Sequence, residues 1–147
     1  HEVIRYYLHY TCVDDIAAVD DDIFKIAVCD YNGAEKNVYP IVAKEFAEDF
    51  TVAVTGPKWI DIMNKGINKG AALKEIREHL GISPEETMAF GDYFNDVELL
   101  QNAGFGFVMK NAHPDMRRYG KYTAESNNDE GVTKAIRQYV LKEDNNE

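Results

Sequence analysis

Asp92, Asn95 and Asp96 place two carboxylates and a carboxamide within five consecutive positions, directly after the apolar run Thr87-Met88-Ala89-Phe90 and Gly91. Oxygen donors clustered this closely suit a metal site. If residues 87 to 90 form a buried strand and a helix starts at residue 95, the acids emerge where open α/β sheets bind ligands, with Gly91 making the tight turn between them. Lys69 is the second feature. It opens a helical segment, where the macrodipole disfavours a cation, so a lysine there makes better sense facing an anion.

The elements around these residues form a regular alternation from Lys65 onward. Ala72, Leu73, Ile76 and Leu80 recur at helical spacing over Gly70 to Leu80, and Gly81 followed by Ile82 is a helix stop. Ser83-Pro84-Glu85-Glu86 carries a capping box with proline at the first helical position, and Asn95-Asp96-Val97-Glu98 reads as a second box opening a helix that Gly104 ends. Phe105 to Met109 reads as strand, His113 to Tyr119 as a short helix, Lys121 to Ala124 as strand and Gly131 to Lys142 as helix. Strands separated by helices of this length imply right-handed parallel crossovers, and so half of a doubly wound, Rossmann-like sheet. Residues 142 to 147 read as a solvated tail.

Residues 1 to 64 differ in texture. Val3, Ile4, Tyr7 and Leu8 suit one face of a helix, although Val-Ile and repeated Tyr also suit a strand. Phe24 to Cys29 reads as strand, Val38 to Asp49 as helix, and Thr51 to Thr55 and Lys58 to Met63 as strands joined by the Gly56-Pro57 turn. The pattern is that of a small α+β module with its boundary near Met63 to Lys65, giving two units at 1–64 and 65–147.

Composition limits what the site can belong to. The 147 residues are 45% hydrophobic and 29% charged, and no apolar run approaches the ~18 residues of a membrane span. The 26 acids against 16 Lys and Arg give a net charge of −10. Such a chain repels phosphate backbones, and it has no basic stripe, so nucleic acid is not an expected partner. Cys12 and Cys29 lack CxxC spacing and a nearby His cluster, which reads as buried reduced thiols in a cytoplasmic protein. The chain opens at His1-Glu2 without a signal-like segment.

Four segments then carry a resemblance. Lys69-Gly70-Ala71-Ala72-Leu73, Gly91-Asp92-Tyr93-Phe94-Asn95-Asp96, Asn111-Ala112 and Ser126-Asn127-Asn128-Asp129-Glu130-Gly131-Val132 resemble, in order, the C-terminal half of a Cof-type phosphatase. These enzymes form part of subfamily IIB of the haloacid dehalogenase-like superfamily. Residues 1 to 64 are similar to the later part of the α+β cap that this subfamily inserts before its lysine. The resemblance implies a fragment of a larger two-domain enzyme acting on a small phosphorylated metabolite. Family members attack a phosphate ester with an aspartate, form an aspartyl phosphate, and release it with water activated by a second aspartate.

By resemblance, Asp92 is a ligand of Mg2+ and Asp96 supports the ion through water. Asn95 helps hold the phosphoryl group, Asn111 approaches it as in relatives although turn chemistry would equally account for an Asn there, and Lys69 pairs with the nucleophile and the transferring phosphoryl oxygens. A hard ion that keeps several waters needs few protein carboxylates, which suits this donor set. An exposed lysine and acids stabilising a helix start would account for the same residues without catalysis. His79 and His113 are better explained as surface or capping residues than as metal ligands.

The chain also departs from the family pattern. Tyr93 and Phe94 replace small or acidic residues inside the motif, and Lys110 stands where glycine commonly precedes Asn-Ala. The first motif, Asp-x-Asp-Gly-Thr, is missing. Asp30-Tyr31-Asn32-Gly33 imitates it, but Asn32 replaces the acid/base aspartate, and too few residues separate Asp30 from Lys69 to hold a second motif and a whole cap. That segment reads as a cap strand with an Asn-Gly turn, and Asp20-Asp21-Asp22 as a solvated acidic loop. Without a nucleophile the chain itself is expected to be inactive, and a sheet lacking central strands is expected to self-associate. A phosphomutase of the same superfamily, or a catalytically silent binding module, would share these motifs. The leaving-group contacts fall among residues 1 to 64, with Tyr39 and Trp59 as candidates.

Overall fold

The computed structural model describes residues 7–142. The proposed amphipathic segment at Val3 and Ile4 and most of the C-terminal tail therefore lie outside the described residues. Tyr7 and Leu8 belong to no helix or strand and are exposed.

Period-two alternation produces the first sheet. Strands β1 (Lys25–Cys29), β2 (Phe50–Gly56) and β3 (Trp59–Asn64) pair antiparallel in the order β1-β3-β2. Val28 and Val54 both pair with Ile60, and Ile26 and Val52 with Ile62, so branched apolar side chains line one face. On that face Ala34, Val54 and Ile60 form a buried cluster, with Val28, Val38 and Val52 packed around it. Ala34 begins α1 (Ala34–Asn37), which leads into α2 (Tyr39–Phe46). The helix anticipated over Val38 to Asp49 is shorter at both ends. Pro40 explains the start, since a residue without an N–H fits the first turn of a helix.

The second sheet is parallel. Strands β4 (Met88–Gly91), β5 (Phe105–Met109) and β6 (Tyr122–Ala124) lie in the order β4-β5-β6. Both faces of β5 are buried. Phe107 and Met109 join Ala124 and Ala135 in one cluster, while Val108 joins Leu100 and Met116 in another. A parallel strand covered on both sides needs such a continuous apolar run. The chain is thus an α/β protein with a partial doubly wound sheet.

Helix α3 (Lys69–Leu80) precedes this sheet. The side-chain oxygen of its N-cap, Asn68, accepts from the N–H of Ala71 at 2.8 Å. Gly81 ends it at φ 68°, and the Arg77 carbonyl accepts from the N–H of Ile82, a left-handed stop that glycine adopts without strain. One expectation fails here. Leu73 is half-buried, but Ile76 and Leu80 on the same predicted face are 56% and 61% exposed.

The 3-10 turn Pro84–Glu86 carries the anticipated box, with Glu86 accepting from the N–H of Ser83 at 3.0 Å. Helix α4 (Val97–Gln101) stops short of Ala103, and α5 (Gly131–Ile136) passes into a π-helical turn over Arg137–Leu141 rather than continuing regularly. Cys12 is exposed and Cys29 half-buried, so the expectation of two buried thiols is corrected; neither forms a disulfide.

Candidate functional site

Strand β4 delivers the acidic motif at its C-terminal end. Gly91 is buried there, and a β-carbon on it would lie 2.5 Å from the β-carbon of Asp96. Its backbone is not in the left-handed region, so glycine is needed for room rather than for a tight turn, which corrects the sequence reading. The expected Asn95–Glu98 box is also replaced. Instead, the Asp96 carboxylate turns back over the preceding loop, where Oδ2 accepts from the N–H of Asp92 at 3.0 Å and lies 3.5 Å from that of Tyr93. A 3-10 turn at Phe94–Asp96 makes this possible before α4 begins.

Lys69 completes the arrangement. Its Nζ donates to Oδ1 of Asp96 at 2.5 Å across 27 residues of sequence. Asp96 is 5% exposed, whereas the Lys69 side chain is about half exposed at 51%. An ammonium at the first residue of α3 opposes the helix dipole, and the buried carboxylate offsets that cost. Gly70 lets α3 come this close, because a β-carbon there would lie 2.5 Å from the Glu98 backbone of α4.

Other residues singled out in the sequence are distributed around this pair. Asp92 is exposed, and its carbonyl accepts from the N–H of His113 at 3.0 Å, tying the motif to the loop after β5. Asn95 is half-buried. Asn111 directs its side-chain oxygen to the N–H of Asn127 at 2.9 Å, so it joins two loops rather than contacting Lys69 or Asp96. His113 caps the 3-10 turn Pro114–Arg118 through its side chain and lies against the Tyr93 and Phe94 rings, at 5.6 and 4.8 Å between centroids. His79 is exposed in the last turn of α3.

Asp30 directly follows β1 of the antiparallel sheet. Its carboxylate accepts from the N–H of Asn32 at 2.8 Å and from the Asn37 amide at 3.0 Å. Those bonds, the Asn32 one first, hold its carboxyl below the usual range. It is a turn residue, holding the Asn32-Gly33 reversal.

Sequence reasoning missed the link between the two sheets. The Tyr93 hydroxyl donates to Oε2 of Glu35 at 3.0 Å, and the Tyr93 and Phe94 rings pack against the Ala34, Val54 and Ile60 cluster. Burial first, then Glu35, pushes the Tyr93 phenol up to about 12. The only signal was the unusual bulk of Tyr93 and Phe94; nothing marked Glu35. Beside this link lies a cavity of about 740 Å³, lined by Lys69, Asn95 and Glu98 on one side and Glu35, Tyr39 and Asp61 on the other. Trp59 lines a separate hollow of about 300 Å³.

Comparison with known proteins places the chain in a family. The family model described as haloacid dehalogenase-like hydrolase matches residues 4–136. The chain is 36% identical over 135 residues to the 5-amino-6-(5-phospho-D-ribitylamino)uracil phosphatase YbjI of Escherichia coli (strain K12), covering 89% of this chain and 48% of that protein. SMU.1108c from Streptococcus mutans UA159 superposes with a TM-score of 0.77 at 27% identity, over 88% of this chain and 49% of that one. The subclass IIB sugar phosphatase BT4131 gives 0.66 at 27% identity, over 82% and 45%. The chain spans about half the length of the curated relatives it matches. On the family match and these alignments together, it belongs to the haloacid dehalogenase-like hydrolases.

Proposed function

We propose that this chain is the C-terminal part of a Mg2+-dependent phosphatase that hydrolyses a small phosphate ester through an aspartyl-phosphate intermediate. Residues 1–64 would be the later part of an α+β cap and residues 65–147 half of the core. The observation carrying this reading is the approach of Lys69 to Asp96 at the end of β4. A cation and a carboxylate, far apart in sequence, meet where a parallel sheet offers its ligand-binding end. The name of the relative YbjI supports hydrolysis of a small phosphorylated metabolite over transfer between substrates.

Each residue has a definite part in this reading. The Lys69 ammonium faces the phosphoryl oxygens and stabilises the charge that develops on them. Asn95 and Asn111 orient the phosphoryl group, the second through the loop it fastens to Asn127. Asp92 would hold the ion, with Asp96 supporting it through water. The donors fit Mg2+ as a partial set. Among the described residues no three His, Cys, Asp or Glu side chains converge, and both oxygens of Asp96 already have partners. An ion that takes one or two carboxylates together with phosphate oxygens and waters needs no larger cage. When bound, it neutralises phosphoryl charge.

The nucleophile and the second aspartate would come from sequence upstream. Phosphomonoester hydrolysis demands acceleration approaching ~10²¹-fold, which electrostatics without a covalent step does not supply, so this chain alone should show negligible turnover. Two unpaired cysteines are consistent with a reducing cytoplasm. The test is to assay the purified chain on p-nitrophenyl phosphate with and without Mg2+, then the same chain joined to its upstream sequence. Turnover only in the joined protein, reduced about 10²–10³-fold by Lys69→Met, supports the reading. Metal-dependent turnover by the chain alone, free of contaminating enzyme, rejects its inactivity, and a joined protein indifferent to Lys69→Met rejects the site.

A further inference from the structure

Three carboxylates line the cavity: Glu35, Asp61 and Glu98. Lys69 is the one lining cation among the described residues, and it is engaged with Asp96. Asp61 has Lys25 at 3.2 Å, outside the lining, so part of its charge is offset. Among the described residues no cation pairs with Glu35, and it accepts from the neutral Tyr93 hydroxyl.

The backbone puts Glu35 in the lining of the same cavity as Lys69. Gly33, at φ 116°, lets the chain reverse after β1, and the Asp30 carboxylate fastens the turn through Asn32 and Asn37. Helix α1 starts at once, and Glu35 is its second residue. Tyr93 then holds one carboxylate oxygen at 3.0 Å from within the acidic motif itself, next in sequence to Asp92. Val52, Val54 and Phe94 supply apolar lining for a carbon skeleton. In a half-enclosed space of this kind a carboxylate acts on a neighbouring charge more strongly than in open water.

We propose that Glu35, positioned by Tyr93, selects the leaving group, favouring phosphate monoesters of amino alcohols over those of hydroxy acids. This rests on the phosphoryl-site reading above. An ammonium on the leaving group would meet the Glu35 carboxylate in a pocket that is acidic beyond Lys69. A leaving-group carboxylate would meet like charge there with no free cation to receive it. Tyr93 is a positioning residue, since its hydroxyl reaches the substrate only through Glu35.

The test uses the purified 147-residue chain with Mg2+ and three probes measured by calorimetry: inorganic phosphate, phosphoethanolamine and phosphoglycolate. The two esters are close in size and opposite in leaving-group charge. Phosphoethanolamine should bind about tenfold more tightly than phosphoglycolate, and Glu35→Gln, which keeps an oxygen acceptor for Tyr93, should bring the two within about threefold. Tyr93→Phe should narrow the ratio as well, although the carboxylate remains. Reading a ratio cancels any general weakening, and an amide NMR spectrum confirms that each variant is folded. Equal or reversed preference in the parent chain, or a ratio unmoved by Glu35→Gln, overturns the proposal. Binding of inorganic phosphate that disappears in Lys69→Met reads the phosphoryl site separately: its presence without ester preference removes only the Glu35 assignment, and its absence removes both.

Discussion

The α-carbon of Gly91 lies so close to Asp96 that any β-carbon there would stand 2.5 Å from the aspartate's own. The contact fixes the Asp96 carboxylate over the turn it caps. Gly91→Ala should therefore push Asp96 off the N–H of Asp92 and away from Lys69. Overpacking of this kind costs about 1–3 kcal/mol, which urea unfolding would register as a lowered midpoint with little change in slope. An unchanged midpoint would mean that the turn yields more easily than the contact implies.

Asp96 and Lys69 should differ in what their loss costs. Asp96→Ala removes the acceptor for the N–H of Asp92, leaving a partly buried donor unsatisfied, at about 1–3 kcal/mol. Lys69→Met leaves the carboxylate its backbone bond, and the lysine it removes is half exposed and solvent-screened, so the cost should be smaller than that of Asp96→Ala. Equal losses in chemical denaturation would show that the ion pair, not the turn, dominates.

Much of this arrangement was legible in the sequence, for identifiable reasons. Phe105 to Met109 could be read directly because both faces of that strand are buried and leave an uninterrupted apolar run. The end of α3 was equally plain, since Gly81 adopts the left-handed conformation that other residues avoid. The detail around Asp96 was hidden. Asn95-Asp96-Val97-Glu98 has the composition of a capping box, but a carboxylate can turn back toward N–H groups before it as well as forward, and Lys69 tips the choice from 27 residues away. Glu35 carried no signal because its role depends on how two sheets meet. The exposure of Ile76 and Leu80 was likewise invisible, since periodicity records an apolar face but not what covers it.

Tyr93 sets a pH dependence. Its phenol is raised to about 12 by burial and by Glu35, while in the unfolded chain it titrates near 10. The stabilisation from the neutral Tyr93–Glu35 bond is fully present below the unfolded value. Between about pH 10 and 12 the unfolded chain loses its proton and the folded one keeps it, so stability falls as pH rises. Tyr93→Phe removes this contribution. A plot of unfolding free energy against pH should fall less steeply over that window in the variant, and identical slopes would contradict the link.

Strand β4 is an edge of the parallel sheet among the described residues, and α3 presents Ile76 and Leu80 at more than half exposure. Parallel sheets are ordinarily covered on both faces, and an open strand edge is a template for pairing with another chain. The proposed missing half would occupy this edge. Alone, the chain should bury the same surface against a second copy, giving masses above the monomer in light scattering at micromolar concentration. Replacing Ile76 and Leu80 together by Lys keeps good helix formers on α3 while removing the apolar contact, and should shift the chain toward monomer without loss of helical circular dichroism. A parent chain that stays monomeric across that range would show that these two side chains and the β4 edge tolerate water, and the argument for an absent partner would then rest on chain length alone.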